Sequence, residues 1–228
     1  MPLFSPPPSR IAPGAVHLPG LLSPDRQARL AAACRRWAVP LRRVRLPSGG
    51  VMSVRQACLG WEWTPYRYRR HHRDGGPVAA FPAALGRLAV ECVAAAYGTA
   101  GDFTPDVALI NFYAPEARMG MHRDAEEVSP APVVSISLGD TAVFRFGNTA
   151  GRGWPWRDVH LDSGDVFVFG GPSRRAFHGV TRILPGTGPA DIGVGVGRWN
   201  LTIRQTGLAV PGYAGLPDSG PGPGRQGR

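Results

Sequence analysis

The sequence predicts an α+β chain that is mainly β, a β-sandwich or jelly-roll barrel with helices packed outside. Helical periodicity is confined to the first hundred or so residues, and from Val107 onward the chain becomes a series of roughly eight short apolar runs of strand length. Glycine and proline punctuate nearly every gap between those runs, as antiparallel β architecture requires. At 228 residues the chain can bury one full core, and it shows no internal repeat.

Residues 1–20 form a Pro-rich lead expected to be partly disordered, up to about Ile11. Ser23-Pro24-Asp25 then starts a helix with a capping hydroxyl, proline at the first helical position and an acid in the first turn; it should run to about Trp37. From Leu41 to Tyr68 the pattern is one of short strands and turns, with Ser48-Gly49-Gly50 as a turn and Val51–Leu59 as a strand. Pro82 opens the strongest helix: Leu85, Leu88, Ala89, Cys92, Val93 and Ala96 fall on one face, and Gly98 ends it. The strands expected after it are Val107–Tyr113, Met119–Asp124, Val133–Leu138, Ala142–Phe146, Arg157–Leu161, Val166–Phe169, Ala176–Val180 and Trp199–Gln205. Residues 207–228 are Gly/Pro-rich with few large apolar side chains, an expected disordered tail.

Net charge is +10, which points to a polyanionic partner and most simply to nucleic acid. All 26 basic residues are arginine, so part of this excess reflects compositional bias. Between Gly60 and Asp74, Trp61, Trp63, Tyr66 and Tyr68 are followed by Arg67, Arg69, Arg70 and Arg73, the mixture that stacking on bases and pairing with phosphates would need; an edge hairpin packing its rings on the core is the alternative. Three scattered cysteines, Cys34, Cys58 and Cys92, make neither a disulfide framework nor a Cys-x-x-Cys zinc site, which suggests a reducing compartment. Prolines interrupt the amino terminus where a secretion signal would be apolar, and no run reaches membrane-spanning length, so a cytoplasmic protein is expected.

Three segments hold the polar residues that this framework leaves unexplained. His122 and Asp124 stand two apart, so on an extended strand both side chains leave one face and can grip one ion, and His178 can complete the set. Two histidines and a carboxylate on one side of a metal form the facial triad of non-haem Fe(II) oxygenases. In the last strand Arg198, Asn200, Thr202 and Arg204 share the face opposite Trp199, Leu201 and Ile203, while Asn111 and Tyr113 share a face upstream. Inward arginines demand carboxylates, supplied either by side chains such as Asp162 and Asp165 or by a bound dicarboxylic acid.

Asn111-Phe-Tyr113-Ala-Pro115, Met121-His122-Arg-Asp124, Val133-Val-Ser-Ile-Ser-Leu-Gly139, Gly164-Asp165-Val, Gly170-Gly-Pro-Ser-Arg174, His178-Gly179 and Arg198-Trp-Asn200-Leu-Thr-Ile-Arg204-Gln occur in this order. The set resembles the AlkB family of alkylation-repair dioxygenases, over about Val51 to Thr206. The resemblance implies a double-stranded β-helix (jelly-roll) core with a nucleotide-recognition lid, and oxidative demethylation of N-alkylated bases such as 1-methyladenine and 3-methylcytosine. It implies Fe(II) held by His122, Asp124 and His178, with 2-oxoglutarate as cosubstrate and O2. It places Arg198 and Arg204 on the carboxylates of 2-oxoglutarate, with Asn111, Tyr113 and Asn200 around the same molecule.

For the substrate, Trp61-Glu-Trp63-Thr-Pro-Tyr66-Arg-Tyr68 looks similar to the family's lid, although its tryptophan-to-tyrosine spacing is shorter. Trp63, nearer the Tyr66/Tyr68 pair, is the expected stacking ring; Glu126 and Arg152 complete the expected substrate-contacting set, Glu126 meeting a cationic methylated base or merely standing in water. The expected organisation is one dioxygenase domain over residues 21–206, with the lid at 41–75 and the catalytic barrel at 107–206, acting as a monomer on DNA rather than RNA. The alternatives are a 2-oxoglutarate-dependent enzyme acting on RNA, protein or a small molecule, and a binding module with a metal-free barrel.

Overall fold

The computed structural model describes residues 6–208 other than 66 and 73. Its order is β1 (Ser9–Ala12), β2 (Ala15–Leu18), α1 (Pro24–Trp37), β3 (Arg42–Arg45), β4 (Val51–Leu59), β5 (Glu62–Thr64), β6 (Arg67–Arg69) and α2 (Ala83–Tyr97). There follow β7 (Val107–Tyr113), β8 (Met119–His122), β9 (Val133–Gly139), β10 (Thr141–Phe146), β11 (Arg157–Leu161), β12 (Val166–Phe169), β13 (His178–Leu184) and β14 (Arg198–Arg204). An eight-stranded sheet runs β1-β2-β12-β9-β14-β7-β4-β3, a four-stranded sheet β11-β10-β13-β8, and β5-β6 is a separate hairpin. All named strand pairs are antiparallel.

Side-chain alternation along the large sheet divides the core into two layers. Ile110, Val134, Ile136, Val166, Val168, Trp199, Leu201 and Ile203 pack with Leu30 and Cys34 of α1 and Leu85, Cys92 and Val93 of α2. On the other face Tyr113, Val133, Phe167 and Phe169 meet Ala142, Phe144, Phe146, Val159, Leu161, Val180 and Ile183 of the small sheet. The helices therefore cover one side of the jelly roll and the small sheet the other. Both helices end as their sequences dictate: the Ser23 hydroxyl accepts from the Arg26 amide of α1, and Gly98 closes α2 in the left-handed region at φ 84°.

Three expectations are corrected. The lead is not disordered as far as Ile11: Ser9–Ala12 and Ala15–Leu18 form a hairpin around Pro13-Gly14, and β2 pairs with β12. The strand expected over Met119–Asp124 stops at His122, because the Arg174 guanidinium bonds the Asp124 carbonyl at 3.0 Å and draws the chain inward. The strand expected over Ala176–Val180 begins at His178 and runs to Leu184, because a one-turn 3-10 helix at Gly171–Ser173 and its exit turn occupy the preceding residues. Tyr66, and the tail from Ala209 onward, lie outside the described residues.

Candidate metal centre

β8 and β13 lie side by side with His122 opposite His178, which sets the two imidazoles 4.5 Å apart between centroids. Gly179 makes this approach possible, since a Cβ there would stand 2.6 Å from the Met119 carbonyl oxygen across the pair. Asp124 joins them from the loop beyond β8: its Oδ1 is 3.8 Å from His122 Nε2, and its Oδ2 is 3.8 Å from His178 Nε2. The three ligand atoms lie within 4.8 Å of one another. So the sequence spacing was right about the pairing of His122 with Asp124, although a turn out of the strand rather than strand periodicity achieves it.

The protonation pattern suits a metal. His122 Nδ1 donates to the Gly120 carbonyl at 2.9 Å and His178 Nδ1 to the Ala176 carbonyl at 3.0 Å, which leaves each Nε2 as a bare lone pair facing the carboxylate. Burial, with the neighbouring His122 ring, pushes the His178 imidazole down to about 4, so it is neutral. Burial raises the Asp124 carboxyl, but the Arg204 guanidinium and the His178 and His122 rings outweigh it and hold the group at about 2. Asp124 Oδ2 is buried and has no hydrogen-bond partner among the described residues. Two imidazole nitrogens and an ionised oxygen without a hydrogen-bond partner fit a divalent ion held by one face.

β14 is central in the large sheet, between β7 and β9, and its polar face looks into the jelly roll. Arg198 is 1 % exposed; it bonds Ser137 Oγ at 2.9 Å and stands over the Tyr113 ring at 5.2 Å. Among the described residues its Nε and Nη1 have no hydrogen-bond partner, and burial pushes its pKa down to about 10. A buried guanidinium with two donors unmet is costly, and an anion received there would remove the cost. Asp165 does not answer Arg198; it bonds His17, the Gly20 amide and the Asp162 amide, holding the loop. Asp162 instead accepts from the Thr141 hydroxyl.

The other expected cosubstrate residues are less open. Asn111 accepts from Gln56 and donates to Asn200, which in turn donates to Ser135 and the Ile136 carbonyl. Tyr113 is buried, its hydroxyl aimed at Met119 Sδ at 3.7 Å, and burial raises its pKa to about 12. Arg204 contacts Asp124 Oδ1 at 2.7 Å and Glu127 Oε1 at 3.0 Å, with only Nε unpartnered.

Glu127 is a residue that sequence reasoning missed. Its carboxylate is fully buried and accepts from Arg174 at 2.8 Å, from Arg204 and from the Tyr68 hydroxyl, which itself accepts from Arg204 at 2.9 Å. Burial pushes the Tyr68 hydroxyl well above its ordinary pKa, so it stays a donor. The available signal was the surplus of inward arginines, which needed more carboxylate than Asp124 could give. This network ties the β5-β6 hairpin to the metal centre.

In that hairpin Trp61 is 8 % exposed, donates from Nε1 to Asp106 and lies 3.7 Å beneath the Arg70 guanidinium; it belongs to the core. Trp63 is half-buried, with Nε1 buried and unpartnered, and packs with Cys58, Val107 and Leu109. Glu126 is half-buried and accepts from the Ala125 amide. Arg152 is exposed in the loop joining β10 to β11. A cavity of ≈ 410 Å³ beside the centre is lined by Asp124, Glu127, Thr149, Pro172, Arg174 and Arg175.

A family model described as the 2OG-Fe(II) oxygenase superfamily matches residues 14–204. The chain is 42% identical over 213 residues to the alpha-ketoglutarate-dependent dioxygenase AlkB homolog of Caulobacter vibrioides, covering 89% of this chain and 92% of that protein. It is 31% identical over 227 residues to the DNA N(6)-methyladenine demethylase ALKBH1D of Arabidopsis thaliana, covering 86% of this chain and 50% of that one, about half its length. The solved structure of OsALKBH1 superposes with a TM-score of 0.78 at 32% identity, covering 86% of this chain and all of the other. With its jelly roll, its His-Asp-His set and these likenesses, the chain belongs to the 2OG-Fe(II) oxygenase superfamily and, within it, to the AlkB dioxygenases.

Proposed function

We propose that the protein oxidatively demethylates N-alkylated bases in nucleic acid, with DNA preferred over RNA. Bound Fe(II), with 2-oxoglutarate and O2, supplies the oxidation of an N-methyl group, and formaldehyde, succinate and CO2 are released. The chain's own residues bind, orient and shield. His122, Asp124 and His178 hold the metal, and the Gly120 and Ala176 carbonyls keep both imidazoles in the tautomer that presents Nε2. Arg198 receives one carboxylate of 2-oxoglutarate through its unmet donors, and Arg204 faces the other end while fixing Asp124. Asn111, Tyr113 and Asn200 form the polar wall between the two arginines.

The single observation that carries this reading is the coincidence, in one buried layer, of an unsatisfied Asp124 oxygen and an unsatisfied Arg198 guanidinium. One needs a cation and the other an anion. Trp63, Tyr66 and Tyr68 form the lid over the extruded base, with Glu126 at its edge and Arg152 on the flanking backbone. The chemistry named for the Arabidopsis relative supports nucleic acid as substrate and DNA as its form. Among the described residues no helix is long and apolar enough to cross a membrane, and all three cysteines are free and buried. The single domain takes in the β1-β2 hairpin, whose second strand pairs with β12, and the enzyme is read as acting as a monomer in the cytoplasm.

The test is formaldehyde release, with matched succinate, from single-stranded DNA and from tRNA carrying 1-methyladenine or 3-methylcytosine. A higher kcat/KM on DNA is expected. Release from neither polymer would overturn the substrate class, and faster turnover of tRNA would reverse the preference.

A further inference from the structure

A second groove adjoins the first. Its cavity of ≈ 520 Å³ is lined by Phe146, Asn148, Thr149, Trp154, Trp156 and Arg157 among others, and Thr149 and Pro172 line both it and the cavity that reaches Asp124. The two cavities adjoin along Thr149 and Pro172, beside the loop joining β10 to β11. Trp154, in that loop, is 76 % exposed, more than any other large apolar side chain among the described residues. Leaving an indole in water forgoes the stabilisation its burial would bring.

The exposure is built rather than incidental. Asn148 donates to the Gly153 and Pro155 carbonyls, and its Oδ1 accepts from the Ala150 and Gly151 amides, so one side chain braces both ends of the loop. Trp156 is held under the Arg145 guanidinium at 4.8 Å, and Arg145 is in turn clamped by Asp158 at 2.8 and 2.7 Å. Trp154 meets Trp156 in a T-shaped pair, with centroids 5.8 Å apart and planes at 73°, which steadies the indole while it stays 76 % exposed. Arg152, Arg157 and Arg175 make no ion pair among the described residues. A rigid exposed ring beside unpaired guanidinium groups matches a single strand, which offers flat bases and one phosphate per nucleotide.

We propose that Trp154 is a stacking platform for an unpaired base flanking the target nucleotide, with Arg157 holding the adjoining phosphate. This rests on the nucleic-acid reading above and adds to it a second contact, outside the lid. It also gives the enzyme a reason to prefer single-stranded substrate, since a paired base has no open face to offer.

The test uses the full chain and three measurements. Affinity for unmethylated dT11 is read by fluorescence anisotropy of a labelled strand. KM is read for a methylated 11-mer and for the corresponding methylated mononucleotide. Trp154→Ala should weaken both 11-mers by about 5- to 150-fold, the loss of one base–aromatic stack, while Trp154→Tyr restores most of the affinity. The variant-to-wild-type ratio of KM should fall towards one for the mononucleotide, which has no flanking base. Arg157→Gln should lower the slope of log affinity against log salt by about 0.7. Equal losses on 11-mer and mononucleotide, or unchanged dT11 affinity, overturn the platform, as does a change confined to self-association. Loss of dT11 binding in a protein that demethylates no polymer would keep the platform and sink the substrate assignment instead, so the two failures are distinguishable.

Discussion

Replacing Glu127 by alanine removes the one carboxylate that balances Arg174 and shares Arg204 with Asp124. Because the Glu127 side chain has no solvent exposure, water cannot take over its three hydrogen bonds. Breaking a buried ion pair from one side costs about 3–5 kcal/mol. For a domain of this size each kcal/mol lowers Tm by roughly 2–4 °C, so a fall of about 6–20 °C is expected. Glu127→Gln keeps the shape and one acceptor but loses the charge, and should fall between the variant and the wild type. Thermal unfolding followed by circular dichroism measures all three. Arg174→Ala on the Glu127→Ala background should cost less than the two changes added separately, since the second removes the charge that the first left unpaired. A Tm for Glu127→Ala within about 2 °C of wild type would mean that the network is solvated and contributes little.

Arg198→Lys should raise KM for 2-oxoglutarate by about 10- to 150-fold although charge is kept, because an ammonium cannot reproduce the guanidinium's fixed donors; an unchanged value would make Arg198 structural. Trp63→Ala should raise KM for a methylated oligonucleotide by about 5- to 150-fold through lost stacking, with Trp61→Ala instead lowering stability by about 3–5 kcal/mol; the reverse pattern would exchange the two rings. Gly179→Ala should force β8 away from β13 and weaken metal affinity by about 10- to 100-fold, measured by anaerobic Co(II) titration; wild-type affinity would show that the strands can yield without moving His122.

What the sequence revealed follows from the range over which its signals act. β4, β7, β11 and β12 coincide with their expected bounds, and α1 and α2 begin and end at the expected caps, because alternation, capping hydroxyls and a terminal glycine are local. The inward face of β14 was legible for the same reason, and the structure puts Arg198, Asn200 and Arg204 there. Tertiary contacts decided the rest. β1 and β2 were hidden by prolines and by a partner, β12, about 150 residues away. The end of β8 is set by Arg174, whose guanidinium captures the Asp124 carbonyl from across the fold. Glu127 follows the metal-binding segment without periodicity, and only the three-dimensional meeting of Arg174, Arg204 and Tyr68 gives it a role. The aromatic segment is the least legible, since a ring serves a core and a base equally well; Trp61 is buried in the core, and Trp63, two residues on, is half-buried against the same cluster.

The most direct measurement is an anaerobic crystal structure with Fe(II) and 2-oxoglutarate, with anomalous data collected at the iron edge. One iron is expected between His122 Nε2, His178 Nε2 and an Asp124 oxygen, with a carboxylate of 2-oxoglutarate on Arg198. Iron bound elsewhere, or an Arg198 guanidinium that still meets no anion at saturating 2-oxoglutarate, would contradict the assignment of this site.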